Sequence, residues 1–301
     1  MPENENENIV EVEHEEHHHH HHKRKSRLKP VLYSVMAFFL SFALFLLSIC
    51  MVLKFTVFSK DYMLNIMDNK GYYSMVRYEL QSRMTDLVNA SGFEPEFAVS
   101  FANSYDVKKA IENYINSFYA GDANLIETTS FKQQLHQAVN DYANQKDIKI
   151  DEETEDNIIY FVNEAVSIYV DQISVPFFSV IGKYINHLDG ILNITTGGLI
   201  AFSLGISAVI FFTNHFKHRR FKYLFYSLMG AALATVIIPL TVLLSDKITK
   251  INISTRSLYN LFTGYFTNFF TYFYICSGIL AVLALISFFM YAKYYEKYRN
   301  A

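Results

Sequence analysis

The sequence predicts an all-α protein: a four-span transmembrane helix bundle with an all-helical extracytoplasmic domain inserted between the first and second spans. Three observations lead there. Residues 31–53, 194–212, 223–244 and 268–292 contain no Asp, Glu, Lys, Arg or His, and each can cross roughly 30 Å of hydrocarbon at about 1.5 Å per helical residue. The largest Lys and Arg clusters all fall on one side of such a bundle. Between the first two runs, apolar residues recur at intervals of three and four without sustained period-two alternation, the signature of amphipathic helices.

Residues 1–30 are expected to form a cytoplasmic tail, acidic, then His-rich, then basic. Its first sixteen residues run through ENENEN and then alternating acids, with too little aliphatic content for a core, the composition of a disordered segment. His17, His18, His19, His20, His21 and His22 follow. Adjacent neutral imidazoles suit a borderline divalent metal such as nickel or zinc and gain charge near about pH 6. These six are the only residues to which the sequence assigns a metal role; it assigns no catalytic and no cofactor-binding residue, and no cofactor.

Residues 31–53 form the first span. The apolar run is too long for a cleaved leader and no A-x-A site follows it. Leu47, Ser48, Ile49 and Cys50 imitate a lipoprotein processing site, but Ile49 is too large for the position before the Cys.

Residues 54–189 are the extracytoplasmic domain. From Phe55 to Asp189 there are ten Lys or Arg against twenty Asp or Glu, a net charge of −10, which leaves +7 for the rest of the chain. Tyr73, Val76, Leu80, Met84, Leu87 and Val88 share one helix face, which Gly92 and Pro95 end. Ser104 or Asp106 caps a second helix, running through Val107, Ile111, Tyr114, Ile115 and Phe118 to Gly121. A third starts near Thr129 or Ser130 and presents Phe131, Leu135, Val139 and Tyr142. The fourth opens on Asp151, Glu152, Glu153, Glu155 and Asp156 and continues through Ile158, Val162 and Tyr169. Those acids lack the D-x-[DN]-x-[DN]-G spacing of a calcium loop and fit the positive end of a helix instead. After Pro176, residues 177–188 form a short helix leading to the second span.

Residues 190–213, 223–244 and 268–292 are the remaining spans. Gly197, Ala201 and Gly205, then Ser227, Ala231 and Thr235, form small-residue stripes that allow close helix approach. The basic cytoplasmic loop 214–222 is short, which predicts an antiparallel hairpin of spans two and three. Residues 245–267 read as an outer loop whose aromatic part lies at the membrane interface. Residues 293–301 are a second cytoplasmic tail.

Orientation follows from Lys and Arg. Lys23, Arg24, Lys25, Arg27 and Lys29, then Lys217, Arg219, Arg220 and Lys222, then Lys293, Lys297 and Arg299 share one side, so both termini are cytoplasmic in a plasma membrane. The absence of Trp and the wealth of Asn, Lys, Ile, Tyr and Phe suit an AT-rich bacterial genome. Cys50 and Cys276, the only cysteines, both fall inside spans and give no disulfide framework outside.

The sequence contains no Gly-rich phosphate loop, G-x-S-x-G or H-E-x-x-H motif. His136 and His187 stand alone, and the spans carry none of the ionisable groups that most ion-coupled carriers use. The expected function is that of a non-enzymatic extracytoplasmic binding, sensing or assembly protein. Its partners are the lipid bilayer, a protein held through the extracytoplasmic domain and a second copy of itself, not nucleic acid. In topology alone the layout resembles the four-span permease subunits of some ABC transporters and bacterial receptors that hold a helical bundle outside. The first resemblance implies the alternative, a permease-like transport subunit.

Overall fold

The computed structural model describes residues 28–122, 126–176, 178–245, 248, 250–253 and 255–300, and every regular element among them is helical. The chain runs α1 (Leu28–Phe55), α2 (Lys60–Asn69), α3 (Tyr72–Ala90), α4 (Pro95–Ser104), α5 (Val107–Ala120), α6 (Thr129–Gln145) and α7 (Glu152–Ile173). The short α8 (Phe178–Ile181) and a 3-10 turn (Gly182–Tyr184) lead into α9 (Ile185–Thr213), α10 (Lys217–Leu243) and α11 (Arg256–Arg299). Four helices, α1, α9, α10 and α11, are long and apolar enough to cross a membrane.

Local chemistry accounts for the helix ends between α1 and α9. Ser59 caps α2 by accepting from the Tyr62 amide at 3.2 Å. Asp106 does the same for α5 through the Lys109 amide at 3.0 Å, and Asp151 for α7 through the Thr154 amide at 2.9 Å. Each cap satisfies a donor that the first helical turn leaves without an intrahelical partner. Gly121 ends α5 at φ +78°, in the left-handed region that a β-carbon disfavours. Pro95, read from sequence only as a stop, stands in the first turn of α4, where its missing N–H costs no hydrogen bond and its fixed φ suits a helix.

These helices close around one apolar core. Tyr72, Leu80 and Met84 of α3, Ile111 and Ile115 of α5, Phe131 and Leu135 of α6, and Tyr169 and Ile173 of α7 are all fully buried. The Phe131 and Tyr169 rings stack with centroids 4.2 Å apart, and Tyr105 meets both edge-on at 5.1 and 5.7 Å. The same core also includes Leu261, from α11.

The four long helices obey a different rule. Beside a few large side chains such as Leu40, Ile210 and Leu280, many of their buried positions are small or hydroxylic: Ala37, Ala43 and Ser48 in α1, Ser227, Ala231 and Thr235 in α10, Ser277, Ala284 and Ser287 in α11. Several buried hydroxyls return to their own helix, as in Ser227 to the Tyr223 carbonyl at 2.9 Å, and Ser277 reaches across to the Ala232 carbonyl at 2.9 Å. The α10 stripe of small residues therefore faces neighbours, whereas Gly197 and Gly205 of α9 have open space where a β-carbon would stand.

Two arrangements differ from the sequence reading. The short connection between α9 and α10 does not make them each other's main partner: α1 packs on both, α10 lies along α11, and α9 sits chiefly on α1. The aromatic stretch assigned to an interfacial loop is helical from Arg256 and continuous with the fourth candidate span. At 44 residues, α11 is about 66 Å long, roughly twice the hydrocarbon thickness. Its surplus length is packed on protein.

Candidate functional site

The contact between that surplus length and the helices preceding α9 forms a junction rich in hydrogen bonds and aromatic contacts. It begins with Glu79, a carboxylate in the middle of α3 between the core residues Val76 and Leu80. One oxygen accepts from the Ser257 backbone N–H at 2.9 Å; the other accepts from the Ser257 hydroxyl at 2.5 Å and from Nε2 of Gln172 at 2.6 Å. Ser257 and Gln172 are buried. Ser257 stands in the first turn of α11, so Glu79 supplies from a distant helix the negative charge and acceptor that a helix start lacks. One side chain thus ties α3, the end of α7 and the start of the longest helix together.

Apolar and aromatic contacts extend the junction along α11. Leu261 is buried in the core, with Leu258, Phe262, Tyr265 and Tyr272 packed against it. Tyr62 of α2 lies edge-on to Tyr265 and Tyr272, with centroids 5.2 and 5.6 Å away, and donates its hydroxyl to the Tyr265 carbonyl at 3.0 Å. Burial, reinforced by the neighbouring Tyr272, pushes the Tyr62 phenol well above its ordinary range. It stays protonated, and stays a donor, throughout the physiological pH range. Gly264 completes the contact: a β-carbon there would collide with the Lys70 side chain, whose stem crosses α11 at that point.

Two further ties hold the helical unit to the other long helices. Tyr119 of α5 donates to the Val57 carbonyl, just after α1, at 3.1 Å. Asn186 at the start of α9 donates to the Ala120 carbonyl at 2.8 Å, beside Gly121. Where α1 ends and α9 begins, Lys54 bonds Asn193, which in turn donates to Asp189 at 2.9 Å. The unit is therefore fastened to α1, α9 and α11.

The residues singled out from sequence have other places. His17, His18, His19, His20, His21 and His22 lie outside the described residues. His136 joins α6 to α7 through Glu155 at 3.2 Å and also contacts Asn140 at 3.2 Å, while His187 is exposed on α9. Asp151 is a helix cap, and no group of three or more His, Cys, Asp or Glu side chains among the described residues is arranged to hold a metal ion. Cys50 and Cys276 are free thiols. The cations assigned from sequence to the loop 214–222 stand in the first turns of α10, which begins at Lys217, and lie over aromatic rings, Lys217 over Tyr294 and Arg220 over Phe211 at 5.8 and 4.9 Å.

The Glu79 junction was not singled out from sequence. Its traces are a lone carboxylate inside an apolar helix face and a Gln at the apolar end of α7, each ordinary until its partner is known. Comparison with protein-family models, with curated proteins and with solved structures finds no match for this chain.

Proposed function

We propose that the chain is a plasma-membrane protein with four spans and both termini cytoplasmic, whose acidic helical unit, residues 54–189, is held on the extracytoplasmic side. In this reading it is a non-enzymatic binding, sensing or assembly protein. The unit recognises a protein partner, and α11 carries the state of the unit into the membrane. The observation that supports this is the continuity of α11 from the Glu79 junction and the Leu261 core contact to Arg299. A stiff helix anchored in the core at one end moves at the other when the core contact changes.

Topology is tested with single cysteines in a chain freed of Cys50 and Cys276. In intact cells a membrane-impermeant maleimide labels a cysteine at the exposed position Asn103 and spares one at Lys297 until the membrane is opened; the reverse pattern would sink the orientation. Coupling is tested with spin labels at Asn103 and Thr267: Glu79→Ala broadens their distance distribution, and an unchanged distribution removes the coupling role. Function is tested by affinity purification from native membranes with residues 54–189 present or excised. An unchanged partner list counts against a recognition role, and co-purification of an ATPase supports the permease-like alternative.

A further inference from the structure

The end of the helical unit remote from the Glu79 junction carries an apolar groove of about 380 Å³ between the α3–α4 turn, the end of α6 and the start of α7. Phe93, Tyr142 and Phe161 form its wall as one set of contacting rings, with Phe93 4.9 Å from Phe161 and 5.4 Å from Tyr142. Ile148 and Tyr160 flank it and stand open, 48% and 72% exposed. Ile150 nearby is 40% exposed. Exposed large apolar residues elsewhere on the unit, such as Tyr78, do not line this groove; gathered beside a ring-walled cavity, Ile148 and Tyr160 mark an interaction surface.

The surroundings of the groove decide what fits it. Glu94 and Glu96 follow Phe93, Asp147 precedes Ile148, and Asp151, Glu152 and Glu153 lead into the groove residue Thr154. Two cations accompany these six carboxylates: Lys146, which lies over the Tyr142 ring and is bonded to Glu94 at 2.7 Å, and Lys149, next to Ile148. The rim is therefore negative around an apolar centre. Anionic lipid headgroups are repelled by it, and a second copy would present the same charge to it. Among the described residues, the Lys- and Arg-rich clusters open α10, from Lys217 to Lys222, and close α11, from Lys293 to Arg299, at the ends of those helices away from the unit. Gln172, which bonds Glu79, is at the opposite end of α7, about 30 Å away along the 22-residue helix.

We propose that this groove docks a basic amphipathic segment of a partner protein, its apolar side chains against Phe93, Tyr142 and Phe161 and its Lys or Arg side chains on the carboxylate rim. The proposal rests on the reading of residues 54–189 as a recognition unit and gives that unit a surface and a partner chemistry. Docking reaches α7 at one end, and the Glu79–Gln172 bond meets α11 at the other.

The test uses the full chain in phosphatidylcholine nanodiscs, with empty nanodiscs as the blank. The probe is a synthetic Lys/Leu peptide of about eighteen residues with leucines at helical spacing; a Glu/Leu peptide of the same spacing and a scrambled Lys/Leu peptide serve as comparisons. The Lys/Leu peptide slows hydrogen exchange in residues 91–97 and 142–161. The double variant Ile148→Ser, Tyr160→Ser, at exposed positions that leave the core intact, weakens its binding by about tenfold or more. Glu152→Gln with Glu153→Gln weakens it and flattens its dependence on salt. Equal binding of the Glu/Leu or scrambled peptide, exchange protection elsewhere, or no protection at all overturns the proposal. If protection is absent while Glu79→Ala still broadens the Asn103–Thr267 distance, the groove reading alone falls. If the groove binds and that distance does not respond, the coupling role falls instead.

Discussion

The helical unit and the four long helices are inside-out versions of each other. In the unit the largest apolar side chains, among them Tyr72, Phe131 and Leu80, are buried, and the surface carries the charge. In the long helices Phe38, Phe212, Ile194 and Phe289 face outward, Phe212 at 80% exposure, while Ala, Ser and Thr fill many of the buried positions. The difference reflects the solvent each part is suited to. Water expulsion drives the first arrangement, so volume belongs inside. Lipid offers no such drive, and close backbone approach through small residues takes over. The junction at Glu79 is where the two rules meet on a single helix, α11.

The largest expected effect contrasts two phenylalanines. Phe131→Ala empties a fully buried site against Tyr169 and lowers stability by about 3–5 kcal/mol, whereas Phe212→Ala leaves thermal unfolding in nanodiscs almost unchanged. Comparable losses at both sites would break the comparison. The next effect runs the other way in size. Ala284→Leu adds volume at a fully buried position of α11 and destabilises by about 1–3 kcal/mol, and an unaltered melting temperature would show that the bundle is not closely packed there.

At the junction, Glu79→Ala leaves the buried Ser257 and Gln172 donors without their acceptor, a loss of about 1–2 kcal/mol. Hydrogen exchange read over residues 256–262 should accelerate, while exchange in the second half of α11 stays slow. The smallest effect is one of pH and belongs to the unit alone. The Thr154 hydroxyl, and after it the Thr154 amide, hold the Asp151 carboxyl below its ordinary 3.8. Because the folded-state value is the lower one, this cap's stabilisation is fully present above the unfolded value and is lost as pH falls through the folded one. The stability gap between the wild type and Asp151→Ala therefore holds steady at neutral pH and closes below 3.8. A gap that widens on acidification would mean the cap is not made in solution.

Much of the helical unit is legible along the chain. Asp106 to Gly121 announces α5 with a cap at each end, and the period of three and four in Phe131–Tyr142 and Ile158–Tyr169 places α6 and α7. Two helices escaped. At ten residues each, α2 and α4 are too short for the period to stand out, and Pro95 signals a helix stop and a helix start with the same side chain. The length of α11 misled in a simpler way: a charge-free run longer than a bilayer suggests a break unless something else covers the excess. Here α2 and α3 cover it.

By itself the sequence determined the four apolar lengths, the helical character of what lies between them and the separation of charge, because each depends on neighbours a few residues apart. Only the tertiary structure decided that α1 sits between α9 and α10, that Glu79 caps a helix 178 residues further along, and that an apolar groove opens where three separate segments meet. Those outcomes depend on the fit of surfaces remote in the chain, and one residue's local pattern carries no record of the partner that will meet it.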